Sequence, residues 1–105
     1  MQDIILPDSL EHVIFGRDFN QSITDWKMPR NLKHLELGYF FNRDMHGVVL
    51  PQSLHHLTFG HSFDQDITDL AMPPGLKCLS LGRSYNQDID GLQLPEGCRV
   101  VLPRN

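Results

Sequence analysis

Proline stands at Pro7, Pro29, Pro51, Pro73 and Pro95, a constant 22 residues apart. Self-similarity at one fixed period between about 20 and 50 residues marks a repeat architecture, and it constrains the fold before local propensity does. Other columns keep the same beat. Leu10, Leu32, Leu54, Leu76 and Cys98 follow the prolines by three. Val13, Leu35, Leu57, Leu79 and Val101 come next, then Phe15, Leu37, Phe59 and Leu81. Gly16, Gly38, Gly60 and Gly82 close this part of the unit, followed by Phe19-Asn20, Phe41-Asn42, Phe63-Asp64 and Tyr85-Asn86. So many columns in 105 residues describe an array of stacked coils.

Each unit contains an apolar residue, two others, and then alternation, as in Leu10-x-x-Val13-x-Phe15. Alternation at period two predicts a strand with Val13 and Phe15 inward and His12 and Ile14 outward. Stacking the coils sets these strands side by side in parallel, about 4.8 Å apart. The glycine after each strand points to a positive φ or a tight bend. A second alternation at Trp26-x-Met28, Val48-x-Leu50, Leu70-x-Met72 and Leu92-x-Leu94 predicts a second short parallel sheet on another wall. Proline then prevents further ladder bonding and turns the corner. No window carries an uninterrupted helical period, so little or no helix is expected. The chain therefore reads as mainly β. One repeat domain covers residues 1–105, with coils at about 7–28, 29–50, 51–72 and 73–94 and a partial coil at 95–105.

Seven inward columns emerge, represented in the first coil by Leu10, Val13, Phe15, Phe19, Ile23, Trp26 and Met28. Burying each such side chain contributes about 1.5–3 kcal/mol, offset by chain entropy, and one coil alone cannot bury its own face. Asn20, Asn42, Asp64 and Asn86 sit beside the buried aromatics. They are expected to form a structural ladder that bonds the loop backbone of their own coil or the next.

The unit Leu-Pro-x-Ser-Leu-x-x-Leu-x-Phe-Gly-x-x-Phe-Asn-Gln-x-Ile, read with small departures at 6–23 and 50–67, resembles the FNIP repeat, a 22-residue relative of the leucine-rich repeat. The resemblance runs the length of the chain, with Met45 standing where the other units have isoleucine. It implies a right-handed leucine-rich-repeat-like solenoid used as a recognition surface. In longer proteins of the family that surface sometimes stands beside an F-box, of which this chain has no counterpart.

Composition narrows the function. The net charge of −4 and the scatter of basic residues argue against nucleic acid or an anionic membrane as partner. Apolar runs are too short to span a bilayer, and no basic segment followed by an apolar one opens the chain. Two cysteines are too few for a disulfide scaffold, and Cys98 is expected inward while Cys78 is expected outward. A cytoplasmic setting follows from this. At the ends, Pro103 and Arg104 replace the apolar and glycine positions of the strand, and neither end carries an evident cap. The chain is expected to be part of a longer array or to self-associate end to end.

Chemistry is suggested by one column, His12, His34, His56 and Cys78, on the outward sheet face. Neighbours about 4.8 Å apart could share Zn²⁺ or Cu²⁺. A flat ladder, however, gives no tetrahedral enclosure, and no carboxylate holds a fixed place to orient the rings. His56 beside Cys78 also makes a cysteine–histidine pair, without an orienting third group or an oxyanion pocket. No cofactor and no enzymatic activity are expected. The outward columns that vary between coils carry the leading expectation, a protein or peptide partner. These are Ile14, Glu36, Thr58 and Ser80 on the strands, and Arg17, Tyr39, His61 and Arg83 at the rim. Arginine and tyrosine are enriched where interfaces concentrate binding energy. The alternatives are the metal-binding column and a purely structural self-stacking unit.

Overall fold

The computed structural model describes residues 7–24, 26, 28–68, 70–87, 89 and 91–102. Among these residues five three-residue strands form one parallel sheet: β1 (His12–Ile14), β2 (His34–Glu36), β3 (His56–Thr58), β4 (Cys78–Ser80) and β5 (Arg99–Val101). They lie in chain order, β1 to β5, so each coil stacks directly on the one before. The register follows the repeat, with Val13, Leu35 and Leu57 in line and Leu79 next to them. No helix occurs among the described residues.

Each complete coil is bent by three turns, all closed by an N–H three residues beyond the accepting carbonyl. The first runs from proline to the apolar residue, as in Leu32 N–H to Pro29 O (3.2 Å) and Leu54 N–H to Pro51 O (3.2 Å). Proline lacks a donor but keeps its carbonyl, so it suits the opening position of a turn and no position inside a ladder. The second turn runs from glycine to the aromatic, as in Phe41 N–H to Gly38 O (3.1 Å). The third closes with Trp26 N–H to Ile23 O (3.1 Å), Val48 N–H to Met45 O (3.0 Å) and Leu70 N–H to Ile67 O (3.0 Å). These last turns correct the expectation of a second sheet. The described residues of the Trp26–Met28, Val48–Leu50, Leu70–Met72 and Leu92–Leu94 wall form no strand, because these N–H groups close a turn in their own coil.

The core runs along the stack. In the second coil all seven inward columns are buried: Leu32, Leu35, Leu37, Phe41, Met45, Val48 and Leu50. The third repeats this with Leu54, Leu57, Phe59, Phe63, Ile67 and Leu70. Val13, Phe15, Phe19 and Trp26 on one side, and Leu92, Leu94, Cys98 and Val100 on the other, are half-buried and pack against this centre. Among the described residues no polar or charged residue is buried. Phe19, Phe41, Phe63 and Tyr85 stack through the coils with ring centroids 6.0, 6.1 and 6.1 Å apart and planes within 10° of parallel.

Two expectations change in detail. The glycine column does not answer to a positive φ; among the described residues that conformation belongs to Gly47 (84°) and Gly97 (83°). Gly38, Gly60 and Gly82 are required instead by close stacking, since a Cβ on any of them would overlap the carbonyl oxygen of the glycine one coil earlier. The last strand also slips by one residue. Val100 pairs with Leu79, while Val101 pairs with Ser80 and is exposed, so Val101 is not the inward residue. In the inner coils two successive N–H groups share one carbonyl, as Lys77 and Cys78 do on His55 O (2.8 and 3.2 Å). In β5 Arg99 alone takes that place, on Lys77 O (2.9 Å), and the slip sets the half-buried Val100 inward in place of Val101. Pro103 and Arg104 lie outside the described residues.

Side chains add a second set of inter-coil bonds. Asn20 Oδ1 accepts the Asn42 N–H (2.9 Å), Asn42 Oδ1 the Asp64 N–H (2.9 Å), and Asp64 Oδ1 the Asn86 N–H (2.8 Å). Gln65 and Gln87 Nε2 donate to the same oxygens of Asn42 and Asp64 (3.0 and 3.1 Å). Removing one rung should cost about 1 kcal/mol, the usual net value of a hydrogen bond. Asn42→Ala is therefore expected to lower Tm by roughly 4–8 °C, while Asn42→Asp, which keeps the acceptor, changes it little. Circular-dichroism melts of the two variants decide this; an unchanged Tm for Asn42→Ala refutes the ladder's role.

Candidate peptide-recognition groove

The outward columns share one wall because the strands are in register and because the rim just beyond is stitched too. Phe40 N–H donates to Arg17 O (3.0 Å), Ser62 N–H to Tyr39 O (3.0 Å) and Ser84 N–H to His61 O (3.1 Å). Side chains of the rim therefore repeat at the coil spacing. The Tyr39 and His61 rings stack 4.8 Å apart at 6°, and the Arg17 guanidinium lies 5.1 Å from the Tyr39 centroid. Phe40 meets Tyr39 edge-on at 4.8 Å and also lies near Arg17, 5.6 Å from ring centre to guanidinium.

An open groove of about 500 Å³ runs between this rim and the strands. Five of the expected partner-binding residues line it: Arg17, Glu36, Tyr39, Thr58 and His61. Phe15, Leu37, Gly38 and Gly60 complete the lining. The small glycines lower the floor of the groove, and the half-buried Phe15 adds apolar surface. Ile14, Ser80 and Arg83 stand outside this lining; Ile14 is 63 % exposed on β1. Phe40 was missed in the sequence reading. It is 43 % exposed in a column otherwise held by Asp18, Ser62 and Ser84, and a lone aromatic among polar residues was the available signal.

The histidine column is assembled but not as a metal centre. His12 and His34 stack with centroids 5.6 Å apart at 19°, and His34 and His56 lie 5.7 Å apart at 38°. Rings stacked by their faces direct their nitrogen lone pairs side by side rather than toward one point, whereas zinc needs convergent tetrahedral donors. Among the described residues no three His, Cys, Asp or Glu side chains are placed to hold a metal ion, and the metal-binding alternative lacks support. Cys78 Sγ lies 3.8 Å from Ser80 Oγ, and both cysteines are free thiols. Burial, with Cys78 nearby, pushes the Cys98 thiol above its ordinary range. Away from the groove, the Thr68 N–H and hydroxyl both donate to Asp66 Oδ1 (2.9 and 2.7 Å) and hold that carboxyl below the usual value.

Comparison with known proteins agrees with this geometry. The chain is 42 % identical to CroV588, whose crystal structure is described as a novel circular leucine-rich-repeat protein, over 92 % of this chain and with a TM-score of 0.84. It spans 14 % of that protein's length. No protein with a curated description matches it. The FNIP repeat model matches four times in overlapping stretches, at residues 2–40, 19–62, 41–83 and 63–101. With those matches tiling nearly its whole length, the chain belongs to the FNIP repeat family.

Proposed function

We propose that the chain is a non-catalytic recognition module whose outward sheet face and rim bind a protein or peptide partner. The observation that carries this reading is the groove, in which Arg17, Glu36, Tyr39, Thr58 and His61 converge from three coils. Repeat solenoids generally present continuous surfaces to partners. Here the varying columns gather on one such surface, and the inward columns supply a rigid backing. The stacked Arg17–Tyr39–His61 rim is already ordered, so binding costs little side-chain entropy. Among the described residues no helix is long and apolar enough to cross a membrane. The free thiols support a cytoplasmic setting, and the small share of CroV588 that is matched supports a place within a longer array.

Selection of a random peptide-display library on the immobilised chain tests the proposal. Enriched peptides should lose binding to Tyr39→Ser and keep it with Val49→Ser, which alters an exposed valine outside the groove. Failure to enrich any peptide, or enrichment indifferent to Tyr39→Ser, would refute it.

A further inference from the structure

Charge is divided unevenly between the strand side of the stack and the remainder, and the positive excess of the strand side lies in its last two coils. The strands with their flanks, residues 11–18, 33–40, 55–62, 77–84 and 99–102, carry five cations: Arg17, Lys33, Lys77, Arg83 and Arg99. They carry three carboxylates, Glu11, Asp18 and Glu36, so this face is +2 in a chain of net charge −4. The remaining residues hold four cations and ten carboxylates, a balance of −6. Glu11 is engaged by Lys33 at 3.6 Å. Among its lining residues the groove holds one carboxylate, Glu36, and one cation, Arg17.

From this polarity we infer that the partner is an acidic peptide segment bound in extended form along the stack, with an aromatic or aliphatic centre between two carboxylates. The inference rests on the recognition reading above and adds the partner's chemistry. Arg17 and Arg83 lie three coils apart in the same rim column, about 14 Å at the spacing of parallel strands. An extended peptide advances about 3.3 Å per residue, so carboxylates four residues apart span the two arginines. The residues between them pass over Tyr39, Phe40 and His61, whose rings offer apolar faces. A basic segment would meet Arg17 and Arg83 on the rim, and like-charge contact suppresses wrong partners.

The probe is a fluorescein-labelled peptide with the core Glu-Leu-Tyr-Leu-Glu, compared by fluorescence anisotropy with versions carrying glutamine or lysine for both glutamates. The acidic peptide should bind at least about ten-fold more tightly than either, and its affinity should fall steeply with added salt. Arg17→Ala and Arg83→Ala should each weaken the acidic peptide several-fold while leaving the glutamine peptide unaffected, a contrast that a folding defect would not produce. Equal binding of the three peptides with loss on Tyr39→Ser overturns the acidic preference and leaves the recognition reading intact. Absence of binding by all three overturns both. Tighter binding of a labelled single-stranded oligonucleotide at the same arginines also overturns the peptide assignment, because it makes the polarity a phosphate site.

Discussion

Gly60→Ala is expected to be among the most damaging single substitutions in the chain, although it adds one methyl group. A Cβ at Gly60 would overlap the carbonyl oxygen of Gly38, and it would stand 2.7 Å from the Gly38 carbonyl carbon and 2.9 Å from the Tyr39 Cα. All three are backbone atoms, so no rotamer change relieves the clash. The strands on either side are held by Leu37 N–H to Thr58 O (2.8 Å) and Phe59 N–H to Ser80 O (2.9 Å), so separating the coils sacrifices ladder bonds. Overpacking in ordinary cores costs about 1–3 kcal/mol; a clash confined to rigid backbone belongs at or above the upper end. Gly16→Ala is the internal control. Nothing lies within 4 Å of its Cβ position, and its φ is not in the left-handed region. That substitution should be neutral, or stabilise by about 0.4–1 kcal/mol through the unfolded chain. Urea denaturation of both variants decides the matter. Equal effects would mean that the glycine column answers to local conformation after all.

The same column shows what could be read from the sequence and what could not. The 22-residue spacing and the alternation around Val13, Leu35, Leu57 and Leu79 gave the strands, their parallel order and the inward residues, because burial imposes one chemistry on every coil. Why glycine recurs was not readable from one unit, since the reason is an oxygen in the coil before. The slip at Arg99 was hidden for a related reason. Pro95 and Cys98 keep the period and close their turn normally, with Cys98 N–H on Pro95 O at 3.1 Å, so the missing residue shows only in pairing. The alternation at Val48 and Leu50 was a true sign of burial but a poor sign of strand, since a turn buries its apolar residues equally well. At the groove, variability singled out Arg17, Tyr39 and His61, and register brought them together. Phe40 is not marked by the repeat, since its column holds Asp18, Ser62 and Ser84 in the other coils.

Phe63→Ala is expected to cost about 3–5 kcal/mol, the range for emptying a buried phenylalanine site. The ring is fully buried, stacks on Phe59 in its own coil at 4.0 Å, and sits between Phe41 and Tyr85 in the aromatic column. Its neighbours are fixed by turns and strands, so the cavity cannot close without moving backbone. Because each coil of a solenoid contacts only its neighbours, a break at the third coil also uncouples the coils on either side. Unfolding of Phe63→Ala should therefore broaden, with a lower denaturant slope, whereas Phe19→Ala, at a half-buried position in the first coil, should cost less and stay cooperative. The effect should reach the groove, since the turn from Gly60 to Phe63 carries His61, which stacks on Tyr39. Hydrogen exchange in Phe63→Ala is expected to show faster exchange of the Ser62 amide, which bonds Tyr39 O, under conditions where the β1–β2 amides stay protected. A single sharp transition of unchanged slope would show instead that the stack behaves as one indivisible core.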